Sequence, residues 1–460
     1  MVLSPTRADA DLAAALRHRR QRLAQQYAAP VALWSGGAAA RNFPANRYPF
    51  RASSHFLYFA GLPLQNAVVY LDQGHLTLFM DDPPPSSELW HGKEEPRSAI
   101  AQRIGADAAY PLSGIDQRLS EPGAIATVAV QDPVTRHAQA RALGRAVGTP
   151  ADQTLAEAIV KLRVIHDDQA LAQMRQAATV TAMAHRAGMA ATATARRESD
   201  LRSAMEAVIL GQGMATAYNS IVTVQGEVLH NERYHNPVTA GDLLLADVGA
   251  ETALGWAADV TRTWPISGQF SSTQRDIYEV VLAAHDAAIA ALAPGVEYRD
   301  IHWRACRTLT EGLVALGILT GKVDDLLEQD AHALFFPHGV GHLLGLDVHD
   351  MEDLGDVAGY APGRRRSDRF GLGYLRLDRP LQAGMVVTIE PGFYQVPAIL
   401  NDPQRRSRYQ EMVNWPKLSQ LADVRGIRIE DDVLITAAGP EVLTAELPTQ
   451  ATAIEALVAP

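Results

Sequence analysis

Short apolar runs alternate with turn-forming clusters over the first part of the chain, from about residue 30 to 130. The runs include "NAVVYLD", "LTLFMDD" and "AIATVAVQD", and clusters such as "DDPPPSSE" separate them. Runs of this length between turn residues are typical of strands, and helical segments lie between them. The segment before residue 27 has the pattern of a charged amphipathic helix. Together these patterns predict a mixed α/β domain at the N-terminus.

The second part of the chain opens with alanine-rich segments that favour helix, from about residue 151 to 212. Beyond residue 215 the pattern changes to strand-like runs, namely "SIVTV", "DLLLADVGAE", "DVTRTWPI", "MVVTIEP" and "IRIEDDVLI". Helical patterns over 273–293 and 299–317 lie between these runs. Strands interrupted by helix pairs predict an α+β domain with a curved, largely antiparallel sheet.

The domain boundary is expected where the chain becomes helical, near residues 150 to 170. This gives an α/β domain of residues 1–160 and an α+β domain of residues 161–460. A chain of 460 residues is long enough to form two domains with a large buried core.

Composition and charge argue against nucleic acid or a membrane as a partner. Hydrophobic residues make up 47% of the chain and charged residues 20%, with a net charge of -11 and no long basic stripe. No run of eighteen apolar residues occurs, so no transmembrane helix is expected. The single cysteine, Cys306, has no histidine evident as an activating base, which favours buried packing and fits a reducing compartment. We therefore expect a cytoplasmic protein.

Acidic residues inside apolar strand-like runs are the most informative feature of the second domain. Burying an uncompensated carboxylate is costly, so each acid needs a surface position or a counter-charge. Arg262 and Arg428 can pair with one acid each, which leaves more acids than bases. The acids are Asp247, Asp259, Glu390 and Glu430.

Divalent cations would compensate such a set of carboxylates. Two cations would neutralise four carboxylates, and one imidazole could complete the ligands. Oxygen-rich ligation suits Mn²⁺, Co²⁺ or Mg²⁺ better than a site built from thiolates. Paired metals roughly 3.5 to 4 Å apart can hold a bridging hydroxide and polarise a carbonyl, so hydrolysis is the expected chemistry.

Three histidines occur close together in "FFPHGVGHLLGLDVHD", at His338, His342 and His349. The four-residue spacing of the first two matches that of zinc-binding helices, but two glycines and no glutamate lie between them. A zinc helix is therefore disfavoured. Hydrogen-bonded core histidines and one wall of a larger site both remain open on this evidence.

Five segments together carry a resemblance to a known family. In order and context, "ADVGAE", "ADVTRTW", "PHGVGHLLGLDVHD", "TIEPGFY" and "GIRIEDDVLI" resemble the signature segments of the pita-bread metallopeptidases, in the branch of aminopeptidase P and prolidase. The likeness runs from about residue 175 to 445. The segment "RNFPANRYPFRASSHFLYFAG" is similar to the start of the creatinase-like N-terminal domain of aminopeptidase P. The resemblance implies a pita-bread catalytic domain after a creatinase-like domain.

The resemblance also implies a dinuclear metal site, with manganese first and cobalt or zinc as alternatives. Asp259 and Glu430 would bridge both metals and Asp247 would chelate one, while His342 and Glu390 would hold the other. The implied reaction is hydrolysis of an Xaa-Pro bond at a peptide N-terminus by a metal-bound hydroxide.

Further roles follow from the same resemblance. Glu390 would help move the proton, and His349 would stabilise the tetrahedral oxyanion. His230 and His338 would line the pocket for proline, and Arg428 would support the ligands beside the substrate. The implied partner is a proline-containing peptide, and the family favours a homo-oligomer, dimer or tetramer.

The preferred substrate length remains open between two branches of the family. The insert after His349 resembles prolidase, in which an arginine at the position of Arg376 grips the free carboxylate of a dipeptide. The "NRYPFR" segment resembles aminopeptidase P, which accepts longer peptides, and we favour that branch. The alternatives are a dipeptidase and, more remotely, a ligand-binding pita-bread module, creatinase or methionine aminopeptidase. The intact ligand set argues against a binding module and against creatinase.

Overall fold

The computed structural model describes residues 7–120 and 125–458. The chain forms two compact units that divide between Gln169 and Ala170. Within the described ranges, no helix is both long enough and apolar enough to cross a membrane.

The first unit combines helices with a small mixed sheet. Its helices are α1 (Arg7–Gln26), α2 (Ser54–Ala60), α3 (Ser87–His91), α4 (Arg97–Ile104), α5 (Ile115–Leu119), α6 (Pro133–Ala142) and α7 (Pro150–Arg163). Its strands are β1 (Val31–Trp34), β2 (Ala40–Phe43), β3 (Asn46–Arg47), β4 (Val68–Asp72), β5 (His75–Phe79) and β6 (Ala108–Tyr110). Helices and strands therefore alternate, as the sequence predicts.

The sheet of the first unit has the order β1-β4-β5-β6, and β2 and β3 form a separate hairpin. Strand β4 is antiparallel to both β1 and β5, and β6 runs parallel to β5. The apolar positions of the runs "NAVVYLD" and "LTLFMDD" are buried, with Val68, Tyr70 and Phe79 in one core cluster beside Trp34.

The predicted strand at "AIATVAVQD" is wrong. In the described part of that run, which excludes Ala124, only an isolated bridge forms, between Ala126 and Val31 of β1. The backbone N–H of Ala32 donates to the Ala126 carbonyl at 3.0 Å. The run is buried and apolar like a strand, but side chains rather than a sheet partner hold most of it.

The second unit contains long helices and several short strands. Its helices are α8 (Asp168–Ala191), which begins just before the division, α9 (Glu198–Gly211), α10 (Ser272–Ala290), α11 (Tyr298–Ala315), α12 (Val323–Glu328), α13 (Asp356–Gly359), α14 (Pro397–Leu400), α15 (Pro403–Arg408), α16 (Trp415–Leu418) and α17 (Ala451–Val458). Its strands are β7 (Ala215–Thr216), β8 (Ile221–Thr223), β9 (Leu243–Asp247), β10 (Ala250–Glu251), β11 (Thr261–Pro265), β12 (Val386–Ile389), β13 (Gly392–Tyr394), β14 (Gly426–Arg428), β15 (Asp431–Thr436) and β16 (Gly439–Val442). Helices α10 and α11 confirm the two predicted helical patterns.

Every strand pair in the second unit is antiparallel among the described residues, as predicted. The sheets have the orders β11-β9-β8, β12-β15-β16, β13-β14 and β10-β7. Strand β14 also lies against β11, because the Glu430 N–H donates to the Thr261 carbonyl at 3.0 Å and Thr263 Oγ1 donates to the Arg428 carbonyl at 3.0 Å. This contact joins the sheets that carry the predicted acids.

The run "IRIEDDVLI" forms two strands rather than one. Strand β14 ends at Arg428 and β15 begins at Asp431, so Glu430 lies in the break between them. Arg428 and Glu430 therefore do not share a face of one strand, as the alternation of side chains in a single continuous strand would predict. Both side chains still converge, since each hydrogen-bonds to the hydroxyl of Thr261.

The histidine-rich segment is irregular and lies along β12, so the zinc-helix alternative is excluded. The Thr388 N–H donates to the His342 carbonyl at 3.0 Å, and the Glu390 N–H donates to the Val340 carbonyl at 2.8 Å. A Cβ on Gly341 would lie 2.1 Å from the Thr388 carbonyl oxygen. Glycine is required there because only it allows the two backbones to approach this closely.

Candidate active site

One cavity of about 550 Å³ in the second unit brings together every side chain that the sequence singled out for the site. The cavity is lined by His230, Asp247, Asp259, His338, His342, His349, Arg376, Glu390, Arg428 and Glu430, among others. The acids lie at strand ends or in breaks next to strands, because β9, β11, β12 and β14 meet at this point of the fold. Residues that are far apart in the sequence therefore line the same cavity.

Asp259, His342 and Glu430 form the tightest cluster. One potential ligand atom from each lies within 4.8 Å of the other two, and all three residues are buried. Nε2 of His342 lies 3.4 Å from Asp259 Oδ2 and 3.5 Å from Glu390 Oε1. The geometry thus places one imidazole nitrogen between carboxylates from different strands.

The hydrogen bonds of His342 decide which nitrogen faces those carboxylates. Nδ1 lies 3.0 Å from the carbonyl of Leu343, which can only accept, so Nδ1 carries the proton. Burial lowers the pKa of His342, which favours the neutral ring. The lone pair on Nε2 then faces carboxylate oxygens that also carry lone pairs. Such an arrangement of acceptors fits a cation between them.

The charges of the cluster also fit a divalent cation. Burial is the largest cause that raises the pKa of Asp259 and of Glu390 to about 7, and burial raises the pKa of Glu430 well above its usual range. Mutual repulsion of the carboxylates acts in the same direction. Bound cations would replace the protons that these groups hold in the chain alone. Oxygen donors with one imidazole match hard or borderline divalent metals.

Arg428 is the buried cation of this cluster, and its guanidinium donates to side chains around the site. Nη2 donates to Asp247 Oδ2 at 2.5 Å, Nε to Thr261 Oγ1 at 2.9 Å and Nη1 to Tyr394 Oη at 3.1 Å. The Thr261 hydroxyl in turn donates to Glu430 Oε2 at 2.6 Å. Arg428 therefore orients two of the predicted ligands, one directly and one through Thr261.

Arg262, the other arginine considered as a partner, lies outside the cluster. Its Nη2 donates at 2.8 Å to Asp431, which was not among the predicted acids. Of the two arginines, only Arg428 donates to one of the four predicted acids, so the excess of acids over bases is larger than the sequence indicates.

Tyr218 belongs to the site but was missed from the sequence. Its hydroxyl oxygen lies 2.5 Å from Asp247 Oδ1 and 2.6 Å from Asp259 Oδ1. A hydroxyl has one proton, so it donates to one of these carboxylates at a time. Tyr218 lies in a loop next to no acid in sequence, and only the tertiary contact reveals it.

His338 is held as a neutral ring. Nδ1 donates to the Gly339 carbonyl at 2.8 Å, and Nε2 accepts from the Tyr394 hydroxyl at 2.9 Å. Burial lowers the pKa of His338 to about 3, and the charge of Arg428 acts in the same direction. Tyr394, in the quoted "TIEPGFY" segment, links Arg428 to His338, a role that the sequence did not indicate.

His349 and Arg376 are joined through Glu352, a third residue that the sequence did not single out. Nδ1 of His349 lies 2.8 Å from Glu352 Oε2, and Nη1 of Arg376 contacts Glu352 Oε1. The hydrogen bond from His349 is the largest cause that lowers the pKa of Glu352 to about 2. The ring of His349 also lies edge-on to that of His342, with centroids 4.2 Å apart. His230, by contrast, lines the cavity with an exposed side chain.

Cys306 is buried, as predicted, but a histidine does lie beside it. His302 Nε2 is 3.4 Å from Cys306 Sγ, because the two residues are one helical turn apart on α11. Burial raises the pKa of the thiol and lowers the pKa of His302 to about 3, so both groups are neutral. The pair packs in the core.

Comparisons with known proteins agree with this geometry. The model of metallopeptidase family M24 matches residues 172–437. The chain belongs to this family. The model of the aminopeptidase P N-terminal domain matches residues 16–127. The prediction of an N-terminal α/β domain of creatinase-like type followed by a pita-bread catalytic domain is therefore confirmed.

Relatives of this M24 chain include both branches considered above. It is 31% identical to the Xaa-Pro aminopeptidase of Escherichia coli strain K12, over 96% of this chain and 97% of the relative. It is 32% identical to the Xaa-Pro dipeptidase of Homo sapiens, over 96% of this chain and 90% of the relative. A solved structure of E. coli aminopeptidase P with the inhibitor Pro-Leu matches with a TM-score of 0.80 and 30% identity, over 97% of this chain and 98% of that one.

Family and site together establish the class of enzyme. This M24 protein is a hydrolase of the metallo-exopeptidase type that uses divalent metal. The identities to the aminopeptidase and to the dipeptidase are nearly equal, so sequence identity leaves the length of the substrate open.

Proposed function

We propose that this M24 enzyme is an Xaa-Pro aminopeptidase, which hydrolyses the bond before proline at the N-terminus of peptides. The convergence of four carboxylates and the Nε2 lone pair of His342 on one cavity carries the proposal. Relatives named Xaa-Pro aminopeptidase over nearly the whole chain support it. The catalytic domain would lie within residues 161–460, the range that contains every candidate ligand.

The cavity would hold two divalent cations, manganese in preference to cobalt or zinc. Asp247 and Asp259 would share one of them, and His342 with Glu390 the other, with Asp259 and Glu430 bridging. Bound there, divalent cations supply a Lewis acid for the carbonyl and lower the pKa of water. The oxygen-rich donor set supports this choice of metals, since carboxylates and water suit manganese.

Glu390 and His349 handle protons and charge in this proposal. Glu390 lines the cavity, where its carboxylate would accept a proton from water and pass it on. His349 presents Nε2 to the cavity because Nδ1 is committed to Glu352. Paired with the Glu352 carboxylate, His349 would take a second proton on Nε2 and donate it to the oxyanion that develops on the scissile carbonyl.

The proline side of the site uses His230 and His338. A bond to proline is a tertiary amide without an N–H, so a pocket for proline needs shape more than a hydrogen-bond acceptor. His338 is neutral and fixed by two hydrogen bonds, which gives the pocket a rigid aromatic wall. His230 is exposed at the same cavity and would contact the proline from the other side of the pocket.

An Xaa-Pro dipeptidase is the second candidate, and one observation favours it. Arg376 lines the cavity and could bind the free carboxylate of a dipeptide. The human dipeptidase is also as similar as the E. coli aminopeptidase. Assembly as a dimer or tetramer and residence in the cytoplasm stay predictions.

Substrate length and metal content test the proposal together. Purified enzyme is loaded with Mn²⁺ and its kcat/KM is compared for Arg-Pro-Pro, Gly-Pro and the control Arg-Ala-Ala. We expect Arg-Pro-Pro to be cleaved at the first bond, the control to be inert, and elemental analysis to give about two metals per chain. Cleavage of Gly-Pro alone would establish the dipeptidase instead. A fully active preparation without metal would contradict the proposed chemistry.

A further inference from the structure

Glu352 occupies an unusual position behind the wall of the cavity. Its Oε2 accepts from His349 Nδ1 at 2.8 Å, and its Oε1 contacts Nη1 of Arg376. His349 and Arg376 line the 550 Å³ cavity, whereas Glu352 lines a smaller pocket beside it. One carboxylate therefore joins a proposed catalytic histidine to a cavity-lining arginine.

Arg376 is the cation on this wall that a negatively charged peptide end would meet. Among the described residues that line the cavity, the arginines are Arg376 and Arg428. Arg428 is buried and already donates to Asp247, Thr261 and Tyr394. Binding of a carboxylate by Arg428 would displace one of these partners, so Arg376 is the better candidate.

Glu352 weakens the ability of Arg376 to bind a carboxylate of the substrate. The Arg376–Glu352 pair has no net charge, so its long-range attraction for a carboxylate is small. Nη1 already donates to Glu352, whereas a two-pronged clamp on a substrate carboxylate requires two parallel N–H donors. A second carboxylate at Arg376 would also approach the charge of Glu352 and be repelled by it. Arg366 also pairs with Glu352, with Nη2 3.7 Å from Oε1, but Asp356 balances the charge of Arg366, because its Nε donates to Asp356 at 2.7 Å. The two arginines and two carboxylates together therefore have no net charge.

We propose that Glu352 is a specificity-determining residue that holds and neutralises Arg376, so that the enzyme gains little from a free carboxylate directly after proline. The substrate class that follows is peptides whose chain continues beyond proline. This inference rests on the proposed Xaa-Pro activity and gives a physical cause for its preference. Glu352 acts on the substrate through Arg376 and is therefore a positioning residue.

The test compares two substrates that differ in one charge. Gly-Pro and Gly-Pro-amide have the same scissile bond, and only the former carries a carboxylate after proline. The measured quantity is the ratio of kcat/KM for Gly-Pro to that for Gly-Pro-amide, in the metal-loaded full chain. Glu352→Gln removes the negative charge and keeps one acceptor oxygen, so the side chain can accept from His349 or from Arg376 but not from both.

We expect Glu352→Gln to raise this ratio by about tenfold, through a lower KM for Gly-Pro, because no carboxylate then balances the charge of Arg376. Adding Arg376→Gln to that variant should return the ratio to the wild-type value. Arg376→Gln alone should leave the ratio unchanged, and this variant tests the proposal even if Glu352→Gln does not fold. Glu297→Gln is the matched control, since Glu297 pairs with Arg364 at the same 35% side-chain exposure as Glu352 but lines neither pocket.

The results that would overturn the role of Glu352 differ from the result that would overturn the Xaa-Pro activity. An equal loss of activity on both substrates in Glu352→Gln would mean that Glu352 acts only through His349, which overturns the proposal. A large fall in the ratio for Arg376→Gln alone would show that Arg376 clamps the carboxylate despite Glu352, which also overturns it. Failure of the wild-type enzyme to cleave Gly-Pro, its amide and Arg-Pro-Pro would overturn the proposed Xaa-Pro activity and this inference together.

Discussion

Three of the four histidines that line the cavity have a proton fixed on Nδ1. His342, His338 and His349 direct Nδ1 at the oxygens of Leu343, Gly339 and Glu352, respectively. Each ring therefore presents Nε2 to the site. The surroundings of Nε2 then separate the roles: carboxylates for His342, the Tyr394 hydroxyl for His338 and the open cavity for His349.

This separation predicts different consequences for two substitutions. His349→Ala should lower kcat on Arg-Pro-Pro by roughly 10²- to 10³-fold, since it removes one donor to the oxyanion, while metal content stays near that of the wild type. His342→Ala, the matched variant, should lower activity and also metal content. Steady-state kinetics and elemental analysis of the two purified variants check this. Loss of metal in His349→Ala to the same extent as in His342→Ala would contradict the assignment.

In the first unit, the start of α7 organises a run that the sequence predicts as a strand. Asp152, in the first turn of α7, accepts from the backbone N–H of Thr127 and of Thr149, each at 2.9 Å. Arg145 donates to Asp152 at 2.7 and 2.8 Å and to the Ile125 carbonyl at 2.6 Å. Gln139 donates to the Val128 carbonyl at 2.8 Å. Side chains thus satisfy backbone groups that a sheet partner would otherwise satisfy.

Removal of the charge of Asp152 should therefore destabilise the protein. Asp152→Asn is expected to lower the free energy of unfolding by roughly 2 to 3 kcal/mol at pH 7, since Asp152 is buried and its hydrogen bonds are charge-assisted. Asp200→Asn is the control, because Asp200 accepts from backbone N–H groups before α9 but is exposed. Urea denaturation of both variants and the wild type measures the difference. An equal effect of the two substitutions would argue against a special role of the buried site.

The same interactions predict how this difference depends on pH. Hydrogen bonds and Arg145 outweigh burial and hold the pKa of Asp152 well below its usual range. A depressed folded pKa gives stability above the unfolded pKa of about 3.9, which is lost as pH falls below that value towards the folded pKa. The loss of unfolding free energy caused by Asp152→Asn should therefore have its full size at pH 6 and become smaller below about pH 4.

The carboxylate cluster of the second unit combines segments from across the domain. Asp247 ends β9, Asp259 lies just before the neighbouring strand β11, Glu430 follows β14 and His342 comes from an irregular segment. Burial of so many acids with one arginine is unfavourable in the chain without cations. Cations that bind only the folded chain would relieve this cost and stabilise the fold by mass action.

Removal of the metal should therefore lower stability as well as activity. With free Mn²⁺ at 100 times its Kd, one bound ion adds roughly 2.7 kcal/mol, which dialysis against a chelator would remove. Thermal unfolding monitored by circular dichroism, before and after Mn²⁺ is restored, measures this loss. The variant Asp259→Asn serves as control and should respond much less to Mn²⁺. An unchanged melting temperature after removal of the metal would contradict the prediction.

The pH dependence of the stability of the metal-free chain is a second measurement of the cost of burying these carboxylates. The pKa values of Asp259 and Glu390 are raised to about 7, above unfolded values of about 3.9 and 4.3. Stability from such groups is full below the unfolded pKa and is lost as pH rises to the folded pKa. The metal-free chain should therefore lose stability between about pH 4 and 7, and the stabilisation by Mn²⁺ should grow over the same interval.

The order of motifs along the chain predicted the fold and most of the site. Periodicity identified α10 and α11 and most of the strands, because the apolar faces of these elements follow directly from residue spacing. The buried acids indicated a metal site, because a carboxylate in an apolar strand needs compensation. The strand at "AIATVAVQD" was wrong because periodicity does not show whether an apolar run finds a sheet partner.

Contacts between distant segments account for what the sequence did not show. Tyr218, Tyr394 and Glu352 have no local signal, since a tyrosine in a loop or in an apolar strand and a glutamate near other acids are all ordinary. Their roles arise from hydrogen bonds to residues that the strands bring to the same cavity.

The residue types and their order thus specify which chemistry this chain can perform, because carboxylate and imidazole ligands prefer divalent metals wherever the fold places them. The hydrogen-bond partners of each ligand depend on how the strands pack, because hydrogen bonds require distances of about 3 Å that sequence spacing does not encode. The packing determines that Glu352 contacts Arg376 and that Arg428 contacts Asp247.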